Sequence, residues 1–297
     1  MKAYRFILPI VCVLLLSACR AGTDGAAEPM PIAGETAAPI ESMPPASEEL
    51  IEQEETYLAM AADGEHPQLI AHAGGAVFGY RLTNSLEALN SAYQSGFRYI
   101  ELDMSLTADG HIVLIHDWAD MAERMLFSQG VKRRDEFLQS EVLADLTLLD
   151  IDGLAAWLAD HPDCSIVTDI KEEANCEILS AIRERAEPDI FGQFIPQVYT
   201  YEEYREVQEL GFDRIILTLY RLDTDADELS AFAEEFSPWA ITVPEGRISE
   251  ELLDAVTAHG VAVYAHTVNS LDFFETWTAL GLTGIYTDYF VPCRWIY

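Results

Sequence analysis

Nine apolar runs recur between residues 68 and 288, and most are continuous rather than alternating: Gln68–His72, Tyr99–Asp103, Ile112–His116, Ser165–Lys171, Phe194–Tyr199, Arg214–Leu219, Ala240–Pro244, Val261–Val268 and Gly284–Asp288. Continuous runs of this length predict strands buried on both faces. Helical patterns separate most of them. Asn84-x-x-Glu87 reads as a capping box, with Leu86, Leu89 and Tyr93 on one face and Gly96 as the stop. Thr200-x-x-Glu203 opens another helix that ends at Gly211, and Ser249 and Ser270 cap two more that end at Gly260 and Gly281. Polar caps in front and glycine behind are the expected punctuation of helices.

Strands alternating with helices imply a parallel sheet. Nine strands are one too many for an eight-stranded barrel. The surplus one is Ile112–His116, which follows Asp103 through Thr107-Ala108-Asp109-Gly110 with no room for a crossover helix. A parallel connection needs a dozen or more residues, so this pair is predicted to be an antiparallel hairpin. Eight parallel strands remain, and the α/β fold expected is a (β/α)8 TIM barrel with a β-hairpin after strand 2.

Active sites of such barrels lie at the C-terminal ends of the strands. Glu101 and Asp103 end the second strand on one face, and a hairpin turning around Ala108 and Asp109 sets His116 opposite Asp103. Asp169 and Lys171 end a later strand, again on a shared face. Three carboxylates at Glu101, Asp103 and Asp169 suit a hard divalent cation, Mg²⁺ or Ca²⁺. The same acids with Lys171 as counter-charge also read as a salt-bridged cluster. Of seven histidines, only His72, His116 and His266 sit at or near strand C-termini. Two imidazoles flanking an acidic cluster can share general acid and base work. Gln197, Tyr199, His266, Asn269 and Asp288 also end strands, where each either lines the mouth or caps the barrel.

Residues 1–18 carry Lys2 and Arg5, then an apolar run from Phe6 to Leu16 too short to span a bilayer, which reads as a secretory signal. Leu16-Ser17-Ala18-Cys19 resembles the lipobox of bacterial lipoproteins, which implies cleavage before Cys19 and its lipidation. Residues 19–65 then form a tether rich in Ala, Pro, Gly and Glu, too poor in large apolar groups to fold alone. Residues 66–297 are long enough for one large core. The expected location is the extracytoplasmic face of a bacterial cell membrane.

A net charge of −34, from 51 acidic and 17 basic residues, excludes nucleic acid as a partner and repels anionic bilayers. Membrane residence therefore depends on the lipid. Cys164 and Cys176 are expected at opposite ends of one strand, too far apart to bridge, and no spacing suggests a zinc or redox site.

The stretches "IAHAGG", "LTNSLEAL", "GFRYIELDMSLTADGHIVLIHD" and "IVTDIK" resemble the glycerophosphodiester phosphodiesterase family, within the wider group of phosphatidylinositol-specific phospholipase C-like phosphodiesterases. The resemblance covers most of residues 69–288. It implies the same barrel, a divalent metal on Glu101, Asp103 and Asp169, and His72 and His116 as acid and base. Lys171 is retained from the family pattern and, with Gln197 and His266, is a candidate substrate contact. Gly74 and Gly75 are expected to let backbone approach a phosphate closely.

Two departures stand out. The family's His-Arg-Gly is His72-Ala73-Gly74 here, which removes an arginine that faces the phosphate, and its Glu-Asn-Thr is Thr83-Asn84-Ser85. Either Arg81 or Lys171 could restore the lost charge. The function expected is metal-dependent hydrolysis of a small phosphodiester. The alternative, favoured by the lost arginine, is a catalytically silent surface lipoprotein that binds a phosphodiester or sugar phosphate.

Overall fold

A computed structural model describes residues 64–170 and 175–292. The signal sequence, Cys19, the tether up to residue 63 and Lys171 lie outside the described residues.

All nine strands form: β1 (Leu69–Ala71), β2 (Tyr99–Leu106), β3 (Ile112–Leu114), β4 (Ser165–Asp169), β5 (Phe194–Val198), β6 (Ile216–Thr218), β7 (Ala240–Pro244), β8 (Ala262–His266) and β9 (Gly284–Thr287). The parallel order β1-β9-β8-β7-β6-β5-β4-β2 closes on itself through Ala71 beside Ile100, and β3 pairs antiparallel with β2. The eight-stranded TIM barrel and its hairpin are thus both present. Apolar residues from the outer strand faces pack under the helices, while Ile70, Tyr99, Val167, Ile195, Tyr264 and Tyr286 fill the barrel.

Helix α1 (Leu86–Gln94) joins β1 to β2. After β3 come α2 (Asp120–Leu126), α3 (Arg134–Leu138) and α4 (Ile151–Asp160). Then α5 (Asn175–Arg185) and α6 (Pro188–Phe191) precede β5, and α7 (Tyr201–Glu209) follows it. The last crossovers are α8 (Ala226–Phe236), α9 (Glu250–Thr257) and α10 (Leu271–Ala279). Thr200, Ser249 and Ser270 cap α7, α9 and α10 as expected, each accepting a hydrogen bond from a first-turn N–H.

Two local readings are corrected. The cap of α1 is Ser85, whose hydroxyl accepts from Ala88 N, and not Asn84. Glu87 does not close a capping box either; it accepts from the N–H and hydroxyl of Thr147, both at 2.8 Å. The hairpin also turns one residue differently. Thr107 N–H donates to His111 C=O across Ala108-Asp109-Gly110, with Gly110 at φ +76°. Met104 consequently pairs with Leu114, Ile115 N–H donates to Asp103 C=O at 3.2 Å, and His116 lies one residue past Asp103.

Cys164 is buried just before β4 and Cys176 is in α5; both are free thiols.

Candidate active site

The alternation of β2 turns Glu101 and Asp103 into the barrel, where they are 2% and 1% exposed. The parallel register with β4 sets Asp103 beside Asp169. One ligand oxygen from each of the three lies within 4.8 Å of the others. Such crowding of negative charge in a buried place is costly. Burial, and then the Asp103 carboxylate, accordingly push the Glu101 carboxyl well above the usual range.

Partners hold two corners of this triad. Ala73 N–H donates to Glu101 Oε2 at 2.7 Å, and Tyr199 OH donates to Asp169. Burial, then the negative charge of Asp169, raise the Tyr199 phenol well above its ordinary value. Glu101 Oε1 is buried with no hydrogen-bond partner among the described residues. An orphaned buried carboxylate oxygen within a three-acid cluster fits a hard divalent cation, which would supply the missing partner and relieve the repulsion. The donor set, all carboxylate oxygen, suits Mg²⁺ or Ca²⁺ rather than a soft metal.

His72 leaves β1 at the rim, in a short turn with Ala73 and Gly74. Its Nδ1–H donates to Asp288 Oδ1 at 2.9 Å, and its Nε2 lies 3.9 Å from Glu101 Oε2 and 3.4 Å from Thr267 Oγ1. Burial works against charge on this ring. The hydrogen bond to Asp288 and the charges of Glu101, Asp288 and Asp103 outweigh it and raise the pKa to about 9. Asp288 is oriented in turn: Asn269 Nδ2 donates to its Oδ2 at 2.8 Å, and Asp288 N–H donates to Asn269 Oδ1 at 3.0 Å. Arg81 Nη1 reaches the same Oδ2 at 3.3 Å.

His116 follows β3 and donates through Nδ1 to Asp117 Oδ2 at 2.7 Å. That hydrogen bond lowers the Asp117 carboxyl to about 2 against a smaller burial effect. Asp117 Oδ1 also accepts from Ala119 N–H at 2.8 Å and Met121 N–H at 3.3 Å, at the start of α2. Trp118 Nε1 donates across to Ser105 Oγ at 2.8 Å, which pins the segment after His116 against β2.

Several strand-end residues take roles that their position alone left open. Asp288, Asn269 and Tyr199 hold His72 and Asp169. Gln197 is buried inside the barrel, 4% exposed, and accepts from Tyr286 OH at 3.2 Å. His266 ends β8 with its ring 5.9 Å from those of Tyr220 and Tyr286. Gly74 is also required by packing: at φ +82°, a Cβ there would meet Ala88 Cβ of α1 at 2.8 Å.

One residue was misread from sequence altogether. Asn84, fully buried at φ +50°, donates through Nδ2 to Asp103 Oδ2 and accepts from Asp103 N–H through Oδ1, both at 2.9 Å. Its place before an apolar helical run made it look like a cap. The usable signal was the following Ser85, which can cap the helix and so releases Asn84 for other work.

The family model described as "Glycerophosphoryl diester phosphodiesterase family" matches residues 72–219. A glycerophosphodiester phosphodiesterase of Bacillus subtilis (strain 168) is 22% identical over 255 residues, covering 74% of this chain and 83% of that protein. Among solved structures, the Oleispira antarctica phosphodiesterase in complex with the product sn-glycerol-3-phosphate superposes with a TM-score of 0.63 at 18% identity, covering 75% of this chain and 94% of that one. The glycerophosphodiester phosphodiesterase of Thermotoga maritima gives a TM-score of 0.59 at 20% identity, covering 76% and 96%. Both histidines and all three clustered acids fall inside the matched span, over which the chain is similar to the glycerophosphoryl diester phosphodiesterase family, and the chain is a phosphodiesterase.

Proposed function

We propose that this enzyme hydrolyses glycerophosphodiesters or related lipid-derived phosphodiesters by acid–base catalysis between His72 and His116, with a divalent cation on Glu101, Asp103 and Asp169. The observation that carries the reading is the placement of His72, held by Asp288, with its Nε2 3.9 Å from an acid cluster that contains an orphaned oxygen. A cation in that cluster supplies charge stabilisation for the phosphoryl oxygens.

The chain's own groups then divide the proton work. His72 is steadied as an imidazolium by Asp288 at Nδ1, which leaves its Nε2–H as the donor to the leaving alcohol. His116 accepts the proton of the attacking hydroxyl, with Asp117 at Nδ1 steadying the imidazolium that forms. If the substrate carries a vicinal hydroxyl, that group attacks first, and the cyclic phosphate formed is opened by water with the two histidines exchanging roles.

A panel of glycerophosphocholine and bis(p-nitrophenyl) phosphate, run with Mg²⁺, Ca²⁺ or EDTA, tests this. Release of alcohol that EDTA abolishes and one of the ions restores is expected. No turnover of any diester, or turnover indifferent to EDTA, overturns it.

The signal-like residues 1–18 and the Leu-Ser-Ala-Cys sequence support a further part of the reading: Cys19 is the lipidated N-terminus of the mature protein, anchored outside a bacterial membrane. Cys19→Ala should release the protein or leave the precursor uncleaved. Unchanged membrane association refutes it.

A further inference from the structure

A phosphodiester is itself an anion, so its site calls for cationic or N–H donors beside any metal. The site already gathers three carboxylates at Glu101, Asp103 and Asp169, and the His72 imidazole is matched by Asp288. The family pattern answers this with an arginine directly after the first histidine. Here that position is Ala73, fully buried at φ +48° with its N–H committed to Glu101, so nothing cationic can project from it.

The loop that follows brings a cation back. Ala76 N–H donates to Asp288 C=O at 2.7 Å, and Val77 and Tyr80 exchange two 2.9 Å hydrogen bonds around Phe78 (φ +52°) and Gly79 (φ +84°). This closed turn, docked on the end of β9, delivers Arg81 to the site. Arg81 Nη1 sits 3.3 Å from Asp288 Oδ2, while the other oxygen of that carboxylate accepts from His72. One aspartate therefore holds the imidazole and the guanidinium side by side.

Resting on the proposed function, we infer that Arg81 binds the phosphate oxygens of the substrate, in place of the arginine missing at position 73. Its contact with Asp288 is a single long one, and the side chain is 38% exposed, so most of its five N–H donors remain for a ligand. A partly exposed ion pair of this kind holds weakly, whereas a guanidinium meets a phosphate with two parallel hydrogen bonds. The fork can thus keep its place beside Asp288 and still close on the ligand. Arg221, 4.8 Å over the Tyr199 ring, is the competing cation on the Asp169 side.

The test uses Arg81→Met, Arg81→Lys and Arg221→Met in the full chain, each first checked for an unchanged unfolding midpoint. Calorimetric binding of sn-glycerol-3-phosphate, with and without divalent cation, is the direct readout. Steady-state kinetics on bis(p-nitrophenyl) phosphate across pH is the second. Loss of a charged, bidentate contact should weaken probe binding and raise KM by roughly 10–100-fold in Arg81→Met. The pH profile should keep its shape, and Arg81→Lys should recover part of the loss. Unchanged binding and KM in Arg81→Met overturn the inference. So does a displaced pH limb with KM unmoved, which would mean that Arg81 acts only through Asp288 on His72. A loss confined to Arg221→Met also overturns it. If the wild type binds the probe but hydrolyses no diester, the proposed function fails while the assignment of Arg81 is still decided by the probe; if the wild type does not bind the probe, both fail.

Discussion

Replacing Asn84 by alanine removes two buried hydrogen bonds from Asp103 at once. The Asp103 N–H is left without its acceptor in the barrel, at a cost of about 1–3 kcal/mol. The Asp103 carboxylate loses a donor, and a hydrogen bond to a charged group contributes about 1.5–3 kcal/mol. Alanine must also adopt φ +50°, which asparagine tolerates and alanine resists by about 1 kcal/mol. The loss expected is about 3.5–7 kcal/mol, a fall in the thermal midpoint of roughly 7–28 °C for a domain of this size. Urea unfolding followed by tryptophan fluorescence measures it, with the slope unchanged if only the native state is affected. Asn84→Gly separates the parts, because it loses the same hydrogen bonds but tolerates the backbone angle, and should recover about 1 kcal/mol. Divalent-cation affinity should fall in both variants, since a ligand carboxylate loses the partner that orients it. A loss below about 1 kcal/mol in Asn84→Ala refutes the reasoning.

In the metal-free protein, Glu101 and His72 both hold protons more tightly folded than unfolded, so stability should fall as pH rises from the ordinary Glu101 value of 4.5 through about 9 for His72. Mg²⁺ or Ca²⁺ should raise the unfolding midpoint and flatten the Glu101 part of that fall; urea midpoints over this range check both. His72→Ala and His116→Ala should each lose on the order of 10²–10⁴-fold in kcat while staying folded, with the double variant little worse than the worse single one in steady-state assays. Gly74→Ala should cost about 2–4 kcal/mol in urea unfolding, from both the 2.8 Å approach to Ala88 and φ +82°, whereas Gly110→Ala, with open space around it at φ +76°, should cost only about 1 kcal/mol.

The barrel was legible in the chain because its evidence is local. Continuous apolar runs mark strands covered on both sides, serine and threonine mark helix starts, and the five residues between Leu106 and Ile112 leave room only for a hairpin. The cluster of three acids was legible for the same reason: alternation puts Glu101 and Asp103 on one face, and the rule that barrels work at strand C-termini picks out Asp169 and the two histidines as candidates. What tertiary structure alone decided are contacts between residues far apart in sequence or one residue apart in register. His72 and Asp288 are 216 positions apart, and no local pattern joins them. Whether Asp103 faces Ile115 or His116 depends on the left-handed conformation of one glycine in the turn. Asn84 looked like a cap because polar residues before a helix usually are. Only the close approach of that segment to β2 shows that its amide serves Asp103, since a side chain's partner is set by what packs against it, not by its neighbours in sequence.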